Sequence, residues 1–360
     1  MLETFVRRQI ERRVFPGISI LAAGGDEIRY ERCFGQRAAW PDPEPLDAAT
    51  LFDLASLTQP LVIALLAARL LEAGEWRLED EARRFLPGLA GPPFTLGQLL
   101  THTAGLKAWH PFYLYRPRHD LEQAAALPPA AAPGTRVIYS DVGYILLRHL
   151  LERTAGAAIG DLAARLIFAP LGLDDAFLGP PPGPKERCAP TEVGNRYEKG
   201  MCRGEHEAAA AAFAWRCGLI RGEVHDANSH HAGGCAGNAG LFASARALFR
   251  LGREFFPAAA TLLKGETVAL FWRDLTPGLG AGRSLGFQLN SKAPTSAGRA
   301  LAPTAIGHTG FTGVSLWLEA EGERQWILLS NRVHPRVKKE DFNVVRRKMH
   351  WLLRRELHLA

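Results

Sequence analysis

Three short groups of residues have types and spacings that could do chemistry. Ser56-Leu57-Thr58-Gln59 follows the strand-like run Leu51-Phe52-Asp53-Leu54-Ala55 and opens an apolar helix. Ser56 and Gln59, three residues apart, share one face of that helix. A serine at a helix N-terminus lies at the positive end of the helix dipole, which favours an alkoxide or an oxyanion. Tyr139-Ser140-Asp141 precedes a helix, and Gly307-His308-Thr309-Gly310 precedes a strand. A tyrosine can relay a proton, a histidine can shuttle one near neutral pH, and a Thr-Gly edge lets a substrate backbone come close. Each group also has a purely structural reading. S-x-x-Q spells a capping box, Y-x-D a solvated helix start and H-T-G a turn.

The elements that must hold these groups follow from periodicity. The N-terminal stretch Met1 to Phe15 sets Phe5, Val6, Ile10 and Val14 among arginines, which predicts an amphipathic helix of the fold rather than a leader segment. Strand-like runs follow at 17–23 and 28–35, then a helix from 56 to 74 whose apolar stretch 60–71 is broken by Arg69 and is apolar on almost every side. Helical spacing recurs at 144–154, 159–169 and 240–256, and the alanine run 208–214 could extend a helix. Strands return at 285–289, 314–318 and 326–330, and a helix over 338–357 closes the chain. Strands at both ends with helices between them predict an α/β protein of the α+β type. The expected division is a discontinuous sheet domain, 1–60 with 231–360, and an inserted, mostly helical domain, 61–230.

Composition narrows the class. The chain has 360 residues, 47% of them hydrophobic, and 43 Lys+Arg against 37 Asp+Glu, for a net charge of +6. That length suffices for one large core or two coupled ones, and it excludes disordered, collagen-like and disulfide-scaffold classes. Five cysteines without any C-x-x-C argue for free thiols in a reducing, cytoplasmic setting. The longest apolar stretch, 60–71, is far short of a membrane span, and no nucleic-acid motif is present. Residues 332–355 carry nine basic and two acidic side chains, so the rest of the chain is near neutral and the basic balance belongs to one helix and its lead-in. Its apolar residues Phe342, Val345, Met349, Leu352 and Leu353 predict one packed face and a basic face in solvent. His225-Asp226-Ala227-Asn228-Ser229-His230-His231 invites a metal reading, but no helical ligand pair is evident and the alternative is a cleft-lining or structural loop. Trp109, His110, Phe112, Tyr113 and Tyr115 either wall a ligand site or pack beneath a loop.

Taken in order, the motifs resemble the serine β-lactamase and penicillin-binding-protein-like hydrolases, in particular the class C β-lactamase and esterase branch. Phe52 to Thr58 is similar to that family's nucleophile segment, Leu99-Leu100-Thr101-His102-Thr103-Ala104-Gly105-Leu106 to its helix-to-loop signature, and Tyr139-Ser140-Asp141 to its second element. Pro170-Leu171-Gly172-Leu173 is similar to a family loop and Gly307 to Gly313 to the third element. The resemblance implies an antiparallel sheet flanked by terminal helices, with an inserted helical domain and a cleft between them. It implies catalytic roles for Ser56, position 59, Tyr139 and His308, and substrate binding by Asp141, Thr309 and Gly310. It implies neither metal nor organic cofactor, a small-molecule or peptide substrate, and acylation of Ser56 by an ester, amide or D-amino-acid peptide, with backbone N–H groups of Ser56 and of the strand after Gly310 holding the oxyanion.

Gln59 departs from the pattern, because the family carries a lysine there. An amide has no basic nitrogen and can only orient a hydrogen bond. Loss of a general base costs ~10²–10⁴-fold in rate. Two substitutes follow from the residues present: His308 accepting the Ser56 proton through Tyr139, or the substrate's own amine or carboxylate. Either the chain is a working serine hydrolase, or it keeps the cleft as a binding site without turnover. Oligomeric state is not legible.

Overall fold

The computed structural model describes residues 1–89, 91–115, 120–291 and 295–358. Among these residues ten strands form two antiparallel sheets: β1 (Gly17–Gly24), β2 (Glu27–Ala38), β3 (Glu44–Pro45), β4 (Phe52–Asp53), β5 (Ala176–Leu178), β6 (Leu241–Ala243), β7 (Gln288–Leu289), β8 (Ile306–Thr309), β9 (Ser315–Glu319) and β10 (Arg324–Ser330). The large sheet has the order β3-β2-β1-β10-β9-β8-β7, which puts the first and last strands of the chain side by side at its centre, Ile18 opposite Ser330 and Gly24 opposite Arg324. The small sheet is β4-β6-β5.

Period-two alternation assigns the two faces of the large sheet. Ile18, Ile20 and Ala22 of β1, Trp317 of β9, and Trp326 and Leu328 of β10 form one cluster with Leu2 and Val6 of the N-terminal helix Leu2–Glu11 and with Phe342, Met349, Leu352 and Leu353 of the C-terminal helix Phe342–Glu356. Leu21, Leu316, Leu318, Ile327 and Leu329 point the other way, into a core shared with the helices. The sheet is therefore flanked by the terminal helices as expected, and both of its central strands are buried on both sides.

The segment Ala55–Glu72 is the axis of the second core. Leu57, Leu61, Val62, Ile63, Leu65 and Leu66 are all buried, and such side chains contribute about 1.5–3 kcal/mol each. By length and composition it is the one helix among the described residues that could cross a membrane, yet 72% of it lies inside the protein, as its all-round apolarity predicts. It begins as a 3₁₀ turn, Ala55–Leu57, and widens to a π turn over Gln59–Ala64 before becoming α-helical at Leu65.

Several boundaries differ from the sequence reading. The expected helix over 240–256 starts with strand β6, whose three residues are buried between β4 and β5, and the helix proper, Ala245–Gly252, begins where the Ser244 side chain accepts the Ala247 N–H. His308 and Thr309 lie within a strand rather than before one. The C-terminal helix starts at Phe342, because Asp341 caps it by accepting from Asn343 N. All five cysteines are free.

Candidate active site

Ser56 is presented by a strained turn. Ala55, just before it, has φ 47°, a left-handed conformation that costs a residue with a side chain about 1 kcal/mol or more. The surroundings over-determine that turn. The buried Asp53 carboxylate accepts from Ala55 N (2.9 Å) and His225 N (2.8 Å), and Thr58 Oγ1 donates to Ala55 O (2.6 Å) while accepting from Leu241 N (3.0 Å). Thr312 Oγ1 donates to Asp53 O (2.7 Å), tying the β8–β9 turn to the same backbone. Burial nevertheless raises the Asp53 carboxyl above the ordinary range, against the pull of the two N–H donors.

Tyr139 is fixed by the loop that the Thr101-His102-Thr103-Ala104-Gly105 stretch builds. His102 Nδ1 accepts from Ser140 N (3.0 Å), its carbonyl accepts from Ile138 N (2.8 Å), and its ring lies 4.6 Å from that of Tyr139. Burial, then Arg283, hold His102 well below its ordinary pKa, so it serves as a neutral wedge. A side chain at Gly105 would meet Ala131 O at 2.1 Å, which explains the glycine after that stretch. Ser140 Oγ accepts from Gly143 N and caps the helix Asp141–Ala155, so the Y-S-D reading as a helix start is correct for its middle residue.

Gln59 is fully buried under these groups. Its amide Nε2 donates both to Tyr139 Oη (2.7 Å) and to Asp141 Oδ1 (3.0 Å), while its Oε1 has no hydrogen-bond partner. The reciprocal capping-box bond is absent from this site; the described capping box is at Thr95 and Gln98. Ser56 lines the same cleft as the phenol, and the two hydroxyls are neighbours there. Burial, and then the Asp141 charge, push Tyr139 well above its ordinary pKa, opposed by Ser56 and Arg283. Burial and Asp226 likewise push Asp141 well above the carboxylate range, against the Gln59 hydrogen bond.

Arg283 was not singled out from sequence, because a lone arginine in the loop before β7 has no pattern to mark it. It is buried, its guanidinium carbon stands 5.6 Å from the centre of the Tyr139 ring, and its Nε has no hydrogen-bond partner. A buried cation over an aromatic face stabilises negative charge on the phenol oxygen. The positive charge that Gln59 lacks is thus present on another element.

His308 lies behind Tyr139, 5.8 Å between ring centres, with Nδ1 on Thr309 O (3.0 Å). Burial, then Arg283, push it down to about 3, which makes it a very weak base at neutral pH. Thr309 ends β8 and Gly310 follows it, against the nucleophile segment. A Cβ at Gly310 would strike Val314 Cγ2 at 2.5 Å and Leu54 O at 2.6 Å, so this glycine lets the β8–β9 turn close on the nucleophile segment. Arg346, read from sequence as part of a solvent face, is instead buried: it donates to Gly310 O (3.1 Å) and Val314 O (2.8 Å), and burial lowers it to about 9. The C-terminal helix thereby clamps the turn that carries Phe311.

Ser56, Tyr139, Asp141, Trp109, Tyr197 and Phe311 face one cleft of about 210 Å³. That is below the ~300–1,000 Å³ of drug-sized sites, so it fits a compact group. Of the five expected aromatics only Trp109 lines it; His110, Phe112 and Tyr113 are buried and Tyr115 bonds His206 (2.6 Å). The His225–His231 segment is a cleft wall: His225 and Asp226 line the site, and Asp226 caps the short helix Ala227–His231. Among the described residues no group of three or more His, Cys, Asp or Glu side chains could hold a metal ion.

Glu198, also on the cleft, is pushed up to about 7 by burial and then by Asp226. A carboxyl whose folded pKa exceeds its ordinary 4.5 holds its proton more tightly when folded, so stability is lost as pH rises from about 4.5 through about 7. At about 1.4 kcal/mol per unit over those roughly 2.5 units the loss is on the order of 3 kcal/mol. Glu198→Gln is therefore expected to stabilise the protein by up to about 3 kcal/mol at pH 8 and not at all near pH 4.5. Urea unfolding at the two pH values checks this; equal stability of variant and parent at pH 8 would refute it.

Comparison with known proteins agrees with this geometry. An Escherichia coli (strain K12) protein, provisionally named a D-alanyl-D-alanine carboxypeptidase, is 26% identical over 358 residues, 89% of this chain and 79% of that protein. Among solved structures, a hydrolase with promiscuous acyltransferase activity superposes with a TM-score of 0.75 at 20% identity, covering 97% of each chain. A penicillin-binding protein homologue from Caulobacter crescentus reaches 0.74 at 19% identity, covering 98% of this chain and 96% of its own. The β-lactamase family model matches residues 2–348, and with the sheet, the flanking helices and the Ser56–Tyr139 arrangement this means that the chain belongs to the β-lactamase family.

Proposed function

We propose that the protein is a serine hydrolase or acyltransferase that forms an acyl-Ser56 intermediate, with Tyr139 as the proton carrier. The observation that carries this is the Gln59 amide donating to the Tyr139 phenol, which shares with Ser56 a cleft open to a small acyl group. Ser56 Oγ attacks the substrate carbonyl carbon and its proton passes to the Tyr139 oxygen, while the Tyr139 proton passes to the departing alkoxide. The phenol stays neutral overall, so no base of neutral pKa is required. Gln59 holds the oxygen by donating to it, and Arg283 stabilises the charge that develops there. Backbone N–H groups of Ser56, in the first helical turn, and of Phe311 would hold the oxyanion. Water reverses the sequence and releases the acid; an alcohol in its place gives acyl transfer.

This route favours esters, whose leaving groups need little protonation, over amides and β-lactams. His308 is not needed as the base, in accord with its low basicity. The carboxypeptidase name of the Escherichia coli relative and the acyltransferase activity of the structural neighbour are both compatible with an acyl-serine. The alternative, ligand binding without turnover, is favoured by the missing lysine. The two separate on covalent labelling of Ser56 by a fluorophosphonate: an adduct supports the acyl-serine route, and its absence from a folded protein supports binding alone.

A further inference from the structure

The cleft is acidic although the chain is basic. Asp141, Glu198 and Asp226 all line it, and among the described residues no lysine or arginine does. The other charged groups nearby are engaged elsewhere. His225, on the cleft wall, is paired through Nε2 with Glu192 Oε2 (3.2 Å). Arg332 packs on the rings of Phe311 (5.3 Å) and Phe342 (5.6 Å), and Arg283 stands behind Tyr139.

Glu198 is the informative member of the group. It is 5% exposed, its Oε1 accepts from Ala227 N (2.9 Å), and its Oε2 is buried without a hydrogen-bond partner at bonding distance, the Tyr113 hydroxyl lying close enough to lower the carboxyl's pKa. A buried carboxylate oxygen left unmatched is costly unless something donates to it. Trp109, Tyr197 and Phe311 supply aromatic faces in the same cleft. Carboxylates beside aromatic faces in a partly dry site suit an ammonium group, which draws on both attractions, and repel a carboxylate.

We propose that the cleft binds an ammonium group, held by Glu198 and Asp226 between the aromatic side chains, and so selects amine-bearing acyl substrates over carboxylate-terminated ones. This deepens the acyl-Ser56 reading by naming the charge of its substrate. Bound there, the cation would also place positive charge near Asp141 and Tyr139, where Gln59 provides none.

The test uses three probes of one shape and different charge: benzylamine, benzyl alcohol and benzoate. Binding is followed by calorimetry and tryptophan fluorescence on the full chain at pH 8, where benzylamine is an ammonium and Glu198 is ionised. Benzylamine is expected to bind about tenfold or more tightly than benzyl alcohol, with benzoate weakest. Glu198→Gln and Asp226→Asn are each expected to erase most of that preference. Both keep the oxygen that accepts from Ala227 N and Ser229 N respectively, so the wall stays in place, which a thermal melt verifies. Equal binding of the three probes, a preference for benzoate, or no ammonium binding at millimolar concentration would each overturn the proposal. The series is repeated on Ser56→Ala, where the preference should persist. Its failure is thereby separate from any failure of Ser56 to be acylated.

Discussion

Tyr139→Phe is expected to slow the acylation of Ser56 by ~10²–10⁴-fold, the range attributed to one positioned proton-transfer group. The phenol oxygen accepts from the Gln59 amide and shares the cleft with Ser56, so removing it leaves the serine proton without its proposed carrier. The fold should survive. The ring keeps its contacts with His102 (4.6 Å) and with the Arg283 guanidinium, and Gln59 Nε2 keeps Asp141 Oδ1 as an acceptor. One lost buried hydrogen bond costs about 1 kcal/mol, a small shift in a thermal melt. Burial holds Tyr139 protonated, so the acylation rate should show no rise from tyrosine ionisation across neutral pH. Burst kinetics with an aryl ester measure the rate. A variant that acylates as fast as the parent would remove Tyr139 from the mechanism.

Gln59→Lys should act in the opposite direction. Its amine would replace an Nε2 that lies 2.7 Å from Tyr139 Oη and 3.0 Å from Asp141 Oδ1, so no backbone change is needed to bring it to both. Burial and the neighbouring Arg283 cation both favour a neutral amine, which is the form that accepts a proton, while Asp141 opposes them. With a base restored beside the phenol, acylation is expected to rise ~10²-fold or more. The gain should be greatest for amides and β-lactams, which the neutral relay serves least well. An unchanged rate across all substrates, in a variant that melts like the parent, would mean that the lysine is not what this site lacks. The parent Arg283 makes the outcome informative, since charge alone is already present and only basicity is added.

The order of the motifs was enough to read the fold, because each one solves a backbone problem visible in its letters. Gly105 and Gly310 stand where the chain passes within van der Waals distance of another carbonyl, and Ser140 and Ser244 stand where helices begin. The central strands β1 and β10 were legible from their continuous apolar runs. Strand β8 was not, because its four residues include Gly307 and a histidine, and pairing with β9 rather than intrinsic preference makes it a strand. Helix periodicity likewise carried the expected 240–256 helix across β6, which is apolar for a different reason, its burial in the small sheet.

The site was legible as types, not as energies. Ser56, Gln59, Tyr139 and Asp141 do converge. What spacing could not convey is how burial changes each group. His308 was expected to have a pKa suited to proton transfer, and its buried position next to Arg283 takes that away. Arg283 and Arg346 come from a loop and from a helix that reads as amphipathic and basic, yet one faces Tyr139 and the other clamps Gly310. Contacts between residues dozens of positions apart, and more than a hundred for Arg283 and Tyr139, leave no local trace. Glu198 and Asp226 are likewise ordinary acids in the sequence and become a cleft wall only when two short helices meet.

The central claim is that Ser56 is a nucleophile in an otherwise complete site. Intact-mass measurement after exposure to a fluorophosphonate, in the parent, in Ser56→Ala and in Tyr139→Phe, tests it most directly. The account predicts a single adduct of the probe's mass on the parent, slower labelling of Tyr139→Phe, and none on Ser56→Ala. An unlabelled but folded parent, or an adduct that persists in Ser56→Ala, would contradict it.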